Sequence, residues 1–293
     1  MKAAAIGTFD GVHRGHRSVL NTLARYAQVN GFQPLALTFD RHPLSHISPE
    51  RTPSELTPLW KKKKLLEEVG VIPVVLTFDE SLRSTTAEAW MKKMQEDYDV
   101  VALVIGYDNT FGCDGVGMSL EDYKRIGEKL GIEVLTAEEV KGVSSSAIRK
   151  AVAAGDMERA EEMLGRPYSI TALVVSGNRL GHTLGFPTAN VKPADGVAVP
   201  KTGVYAAIVK LLTDGSKHPA MVNVGSRPTV MRGEDKVIEA HLIDWDGNLY
   251  DKEITVRFIK RIRDEIKFDS IESLKQQLKI DKEEVMNLLK ERL

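Results

Sequence analysis

Two histidines three residues apart, His13 and His16, lie in a glycine-rich stretch, Ile6-Gly7-Thr8-Phe9-Asp10-Gly11-Val12-His13-Arg14-Gly15-His16. Imidazole rings at that spacing, split by a glycine, can aim at one anion. The stretch follows an apolar run and opens an amphipathic one, so it reads as a strand–turn–helix joint. A helix start presents unpaired N–H groups and the positive end of the dipole, which suits phosphate. Gly7, Gly11 and Gly15 let the backbone turn tightly and approach a ligand, and with Phe9 they complete the candidate phosphate loop. Donors fixed there would stabilise charge building on an α-phosphate and a departing pyrophosphate, as a nucleotidyl transfer requires.

A second segment, Val143-Ser144-Ser145-Ser146-Ala147-Ile148-Arg149, leads into another helix. Ser145 and Ser146 can cap N–H groups or donate to phosphate. Arg149, in the first turn, carries a fork of donors matched to pyrophosphate.

A third segment, Gly177-Asn178-Arg179-Leu180-Gly181-His182-Thr183-Leu184-Gly185-Phe186-Pro187-Thr188-Ala189-Asn190, has a different chemistry. Gly177, Gly181 and Gly185 make a loop whose N–H groups could cradle phosphates. No G-K-[ST] ending follows, so it is not a P-loop. Thr188 and Asn190 share one face of an extended strand and offer neutral oxygens suited to Mg²⁺ beside ATP phosphates. Glu239 sits on a strand with Val237, His241 and Ile243 on one face. A carboxylate there needs a task or a salt-bridge partner. His241 reads as structural.

These residues need elements to hold them. Ala3–Ile6, Pro34–Phe39, Ile72–Thr77, Val100–Ile105 and Ile132–Leu135 are continuous apolar runs alternating with helical patterns. Such alternation predicts a parallel α/β sheet covered on both faces, with ligands beyond the strands' carboxyl ends. Helices are expected over Leu59–Val69, Ala87–Met94, Leu120–Leu130, Ser145–Ala154 and Met157–Leu164. Near Gly165-Arg166-Pro167 the pattern changes to period-two strands: Val204–Leu212, Ala220–Val224, Val237–Ile243 and Glu253–Ile259. These suggest a small antiparallel barrel, closed by a helix from Ile271 to Leu293. The expected domains are 1–166 and 167–293. The basic run Lys61–Lys64 reads as a solvated helix face, with one lysine reaching a phosphate as the sharper alternative.

The 40 basic and 41 acidic residues balance to −1, which argues against a general nucleic-acid binder. A single cysteine, Cys113, excludes an internal disulfide and fits the cytoplasm. No run is apolar for the ~18 residues a membrane span needs. Met1–Gly7 is too short an apolar run for a signal peptide. Nothing in the residues points to a protein partner.

The first two segments resemble the nucleotidyltransferase superfamily marked by H-x-G-H and a later S-S-T-x-x-R-like motif, with Ser146 in place of threonine. Thr38-Phe39-Asp40-Arg41-His42-Pro43 and Gly106-Tyr107-Asp108-Asn109-Thr110-Phe111-Gly112 narrow the likeness to the FMN-adenylylating module of bacterial bifunctional riboflavin kinase/FAD synthetases. The third segment resembles the riboflavin kinase hallmark G-F-P-T-A-N. The likeness continues through Gly203–Ala206, Asn223–Thr229, Glu239–Leu242 and Arg263–Phe268, over essentially the whole chain. The resemblance implies ATP and a divalent metal as reagents, with riboflavin, FMN and FAD as substrates and products. It implies that Asp108 faces the reacting phosphates or their metal. Glu239 would activate the ribityl 5′-hydroxyl, and Arg263 and Phe268 would help enclose the flavin. Departures are His182, where the family usually has arginine, Asp251 where glycine usually follows Leu249-Tyr250, and the lack of a short leader before the first strand. An adenylyltransferase with a decayed kinase, and a flavin-storage module, are rival readings. Thr188, Asn190 and Glu239 argue against both, since passive binding needs neither metal ligands nor a base.

Overall fold

The computed structural model describes residues 1–107, 109–176, 185–229 and 233–292. Two compact units are present, Met1–Ser145 and Ser146–Leu293.

The first unit contains, in chain order, β1 (Lys2–Ile6), α1 (Arg14–Asn30), β2 (Gln33–Phe39), α2 (Leu44–Ile47), α3 (Leu59–Glu67), β3 (Ile72–Leu76), α4 (Glu80–Arg83), α5 (Ala87–Tyr98), β4 (Val100–Ile105), α6 (Leu120–Leu130) and β5 (Glu133–Thr136). All strand pairs are parallel, in the order β3-β2-β1-β4-β5. The expected parallel α/β fold is therefore present. Successive side chains of β1 point to opposite faces. Ala3 and Ala5 join one core with Leu20, Leu23 and Leu66 of α1 and α3. Ala4 and Ile6 join the other with Trp90, Met91 and Tyr123 of α5 and α6. Burial on both faces is why β1 reads as an unbroken apolar run. The chain reverses direction across the sheet between β1 and β4, the switch point beyond which ligands bind in such folds.

The second unit contains α7 (Ser145–Ala154), which begins at the division, then α8 (Met157–Leu164), β6 (Tyr168–Val175), β7 (Ala189–Lys192), β8 (Gly203–Leu211), β9 (Lys217–Thr229), β10 (Gly233–Leu242), β11 (Glu253–Arg263) and α9 (Ile271–Leu289). The six strands close into an antiparallel barrel in the order β10-β7-β6-β11-β8-β9. Its interior is filled by alternate residues such as Val174, Tyr205, Val222, Ile238, Ala240, Val256 and Phe258, all buried. The outer face of β8, β9 and β11 is apolar too. There Val204, Ala206, Met221 and Ile259 form a core with Val285 and Leu289 of α9.

One buried ion pair pins α9. Arg263 reaches both carboxylate oxygens of Asp281 at 2.6–3.0 Å, and Gln277 Nε2 donates to the same carboxylate at 2.9 Å. Asp281 is 1% exposed. Removing one partner of such a pair strands the other charge. Asp281→Ala is expected to cost about 3–5 kcal/mol of barrel stability. Urea unfolding followed by barrel fluorescence checks it, and a loss below 1 kcal/mol would show the pair to be unimportant.

Helices α7 and α8 belong with the barrel. Met157, Ala160, Met163 and Leu164 are buried. Lys260 of β11 pairs with Glu158 at 3.1 Å, and Arg292 with Glu161 at 2.7 Å. Asp251 adopts φ 60°. That left-handed backbone explains why glycine is usual at this position, and aspartate is among the residues that tolerate it.

Candidate active sites

The turn after β1 is built by local ties. Asp10 is buried and accepts the N–H groups of Leu56 and Thr57 at 3.0–3.1 Å. Gly11 takes φ 87°, and Phe9 and Val12 are held at φ 46° and 38°. Those two left-handed residues are strained by roughly 1–3 kcal/mol each, a cost the surrounding bonds must hold. His13 caps α1: its Nδ1 accepts the N–H of His16 at 3.2 Å. An accepting Nδ1 carries no proton, so the neutral ring presents Nε2–H as a donor. His16 stacks on His13 with centroids 3.6 Å apart and meets the Phe9 ring edge-on at 5.4 Å. A Cβ on Gly15 would lie 3.2 Å from the His13 ring, so glycine lets that ring sit against the helix.

The second motif closes on the first. Ser145 Oγ donates to the Asp10 carbonyl at 2.9 Å, and Ser18 Oγ to that of Glu138 at 2.8 Å. Asn109, beyond β4, donates to the Ile6 carbonyl. A cavity of ≈ 360 Å³ results, lined by Gly7, Phe9, His13, Gly15, His16 and Ser145 among others. A second cavity shares Ile6–Thr8 and Asn109 with it and is walled by Phe39, Phe78, Trp90 and Phe111. Gly11 and Ser146 do not line either. Ser146 and Arg149 lie on the first turn of α7, past the division between units. Asp108 lies outside the described residues.

Of the four lysines in the basic run, Lys62 departs from the solvated face expected for them. Only 8% exposed, its ammonium donates to the carbonyls of Thr8 and Phe39, each at 3.1 Å. Burial pushes its pKa down, against the pull of Asp10, Glu55 and Asp40.

On the barrel the site lies on the outer wall, under α9. Cross-strand register sets Glu239 opposite Asn190 of β7 on one side and Asn223 of β9 on the other. Directly paired residues share a face, so these three side chains are neighbours. Thr188, Asn223, Glu239, Arg263 and Phe268 line one cavity with Leu274 and Leu278 of α9. Thr188 also lines a second cavity, with Trp245, Asp246 and Tyr250. His241 Nδ1 bonds the Pro187 carbonyl at 2.8 Å, and its ring meets Phe186 at 5.2 Å. Burial lowers its pKa, so the ring is neutral and donates through Nδ1–H to hold the segment before Thr188. The Arg263 guanidinium is taken up by Asp281 and the Asp264 carbonyl, so it borders the cavity as part of the α9 anchor. Gly185 takes φ 81° as the chain enters β7. Gly177, Gly181 and His182 lie outside the described residues.

Thr188 and Asn190 carry neutral oxygens of the kind a hard cation takes. Asn190 is buried, and its Oδ1 has no hydrogen-bond partner among the described residues. An orphaned neutral oxygen of that kind fits Mg²⁺. No cluster of three or more His, Cys, Asp or Glu suited to a metal occurs among the described residues. A cation here would therefore need phosphate oxygens and water to complete its shell.

Known proteins agree with this geometry. A family model for FAD synthetase matches residues 1–150, and one for riboflavin kinase matches residues 164–289. A bifunctional riboflavin kinase/FMN adenylyltransferase of Pseudomonas fluorescens is 37% identical over 283 residues, covering 95% of this chain and 90% of that protein. That of Bacillus subtilis is 36% identical over 289 residues, covering 96% and 90%. A crystal structure from Streptococcus pneumoniae, described as a macrolide-efflux protein, superposes with a TM-score of 0.89 at 30% identity, covering 98% of this chain and 94% of that one. With both models in order and relatives matched nearly end to end, the chain belongs to the bifunctional riboflavin kinase/FMN adenylyltransferase family.

Proposed function

We infer that the chain carries out two consecutive ATP-dependent reactions: riboflavin to FMN on the barrel, and FMN to FAD on the α/β unit. The observation that carries this reading is that each unit gathers the residues of its own motif around a cavity. His13, His16 and Ser145 surround one, and Thr188 and Glu239 share the other.

In the first reaction the ribityl 5′-hydroxyl attacks the γ-phosphorus of ATP, and ADP leaves. Glu239 takes the hydroxyl proton. Thr188, common to both barrel cavities, stands where the nucleotide and flavin meet. Thr188 and Asn190 would hold Mg²⁺, which when bound neutralises charge on the ATP phosphates. Phe268 and α9 enclose the ring system. By family resemblance, Gly177, Gly181 and Gly185 would offer backbone N–H groups to the ATP phosphates.

In the second reaction a phosphate oxygen of FMN attacks the α-phosphorus of ATP, and pyrophosphate leaves. The nucleophile is already anionic, so no strong base is needed. Gly7, Gly11 and Gly15 let the backbone approach the phosphates. His13 and His16 donate to the charge that develops, with Ser145, Ser146 and Arg149 serving the pyrophosphate and Asp108 facing the phosphates or their metal. The aromatic second cavity takes the flavin ring.

A cytoplasmic location follows from the reagents and from the lone, exposed Cys113. The efflux description of the pneumococcal protein is not carried over. Both family models name flavin enzymes, and among the described residues no helix is long and apolar enough to cross a membrane.

Separate cavities predict separable activities. A fragment of residues 167–293 is expected to convert riboflavin to FMN. A fragment of 146–293 should do so with higher thermal stability, because it keeps α8 on β11 and β6. A well-folded 146–293 fragment without kinase activity, beside an active full chain, would show the two activities to be interdependent.

A further inference from the structure

The adenylyl-transfer cavity depends on a strained turn, and the bonds that hold the strain converge on one side chain. Thr8 and Asp10 flank Phe9, whose φ of 46° aims its ring at His16. Asp10 is fixed by the amides of Leu56 and Thr57, just ahead of α3. The Thr8 carbonyl is fixed by two donors, Lys62 Nζ and Thr38 Oγ1, each at 3.1 Å. Lys62 bonds the Phe39 carbonyl as well, at the end of β2. One desolvated ammonium therefore ties α3, the end of β2 and the motif turn together. Burial lowers its pKa, and the charges of Asp10, Glu55 and Asp40 oppose that shift.

We propose that Lys62 is a positioning residue for adenylyl transfer: by clamping the Thr8 carbonyl it fixes Phe9 and, through the Phe9 ring, the orientation of His16. It touches neither substrate in this account. The buried ammonium serves geometry, because two carbonyls on separate loops need a donor that a neutral side chain of this length cannot supply. Losing it frees the turn to relax towards unstrained backbone, and His16 then loses its edge-on neighbour. The expected signature is on turnover, since the cavity walls that bind the nucleotide and flavin stay in place.

The inference rests on the reading that this cavity makes FAD, and the experiment separates the two. Full-length wild type, Lys62→Met and Lys62→Arg are assayed for FAD from FMN and MgATP, and for FMN from riboflavin. K62M is expected to lower kcat for FAD formation at least tenfold, towards the ~10²-fold that a 1 Å misplacement near the chemistry costs. The KM values for FMN and ATP should stay within about twofold, as expected when only transition-state interactions are lost. FMN formation, on the barrel, should be unchanged, and a wild-type circular dichroism spectrum and urea transition of the full chain show the α/β unit to be folded. K62R keeps the charge and the donors and should restore most of the loss. If K62M fails to fold, Thr38→Val removes the other donor to the same carbonyl and should show the same split, about threefold in kcat, the order of one lost neutral hydrogen bond. A K62M protein, or failing that T38V, with wild-type kcat overturns the proposal, and so does a rise in KM at constant kcat. A wild type that makes no FAD overturns the underlying reading, and the positioning role with it.

Discussion

Glu239→Gln is expected to abolish FMN formation while sparing the conversion of FMN to FAD. The amide keeps the shape of the carboxylate and its place between Asn190 and Asn223. It cannot accept the proton that the ribityl hydroxyl must lose. General bases typically contribute ~10²–10⁴-fold, so kcat for riboflavin phosphorylation should fall by that order. Barrel stability should hardly change, because Glu239 is only half-buried and its replacement is isosteric. Rates with riboflavin and with FMN, measured on one preparation, check this. A mutant with nearly normal kinase activity removes Glu239 from the role of base.

The second large effect is expected from His16→Ala. The substitution deletes the ring stacked on His13 but leaves the backbone N–H that the His13 Nδ1 accepts, so the α1 cap survives. What is lost is one donor aimed where charge develops. Losing such a donor commonly costs ~10²–10³-fold in rate. The loss should fall on kcat for FAD formation more than on the KM for FMN. Riboflavin phosphorylation should be untouched, since that chemistry belongs to the barrel. Equal damage to both steps, or intact FAD synthesis, rules this role out.

These assignments were largely legible because both motifs sit at joints that the pattern announces. The central strands β1, β2 and β4 of the parallel sheet are buried apolar runs, the edge strands β3 and β5 are partly exposed, and the glycine-rich turn follows β1 directly. The barrel strands from Val204 to Ile259 alternate with period two, and the inward set found in the structure is that alternation. Elements without periodicity were not legible. The helices α2 and α4 have four residues each, too few for an amphipathic repeat. That Lys62 alone of four consecutive lysines is buried depends on where α3 packs against the sheet, which no local pattern encodes. Arg263 carried a flavin role by resemblance. Its guanidinium bonds Asp281, eighteen positions along the chain, while the residue also lines the cavity, and that pairing is decided by how α9 docks.

The central claim is that one chain performs both steps in order, and a time course tests it most directly. Purified full-length protein is mixed with riboflavin and MgATP, and the flavins are separated by chromatography at intervals. The account predicts that FMN forms first and FAD follows from it, with one ADP and one pyrophosphate released per FAD. No product from riboflavin, with FAD formed only from supplied FMN, would contradict the kinase assignment. No product from either flavin would contradict catalysis altogether and leave a flavin-binding protein.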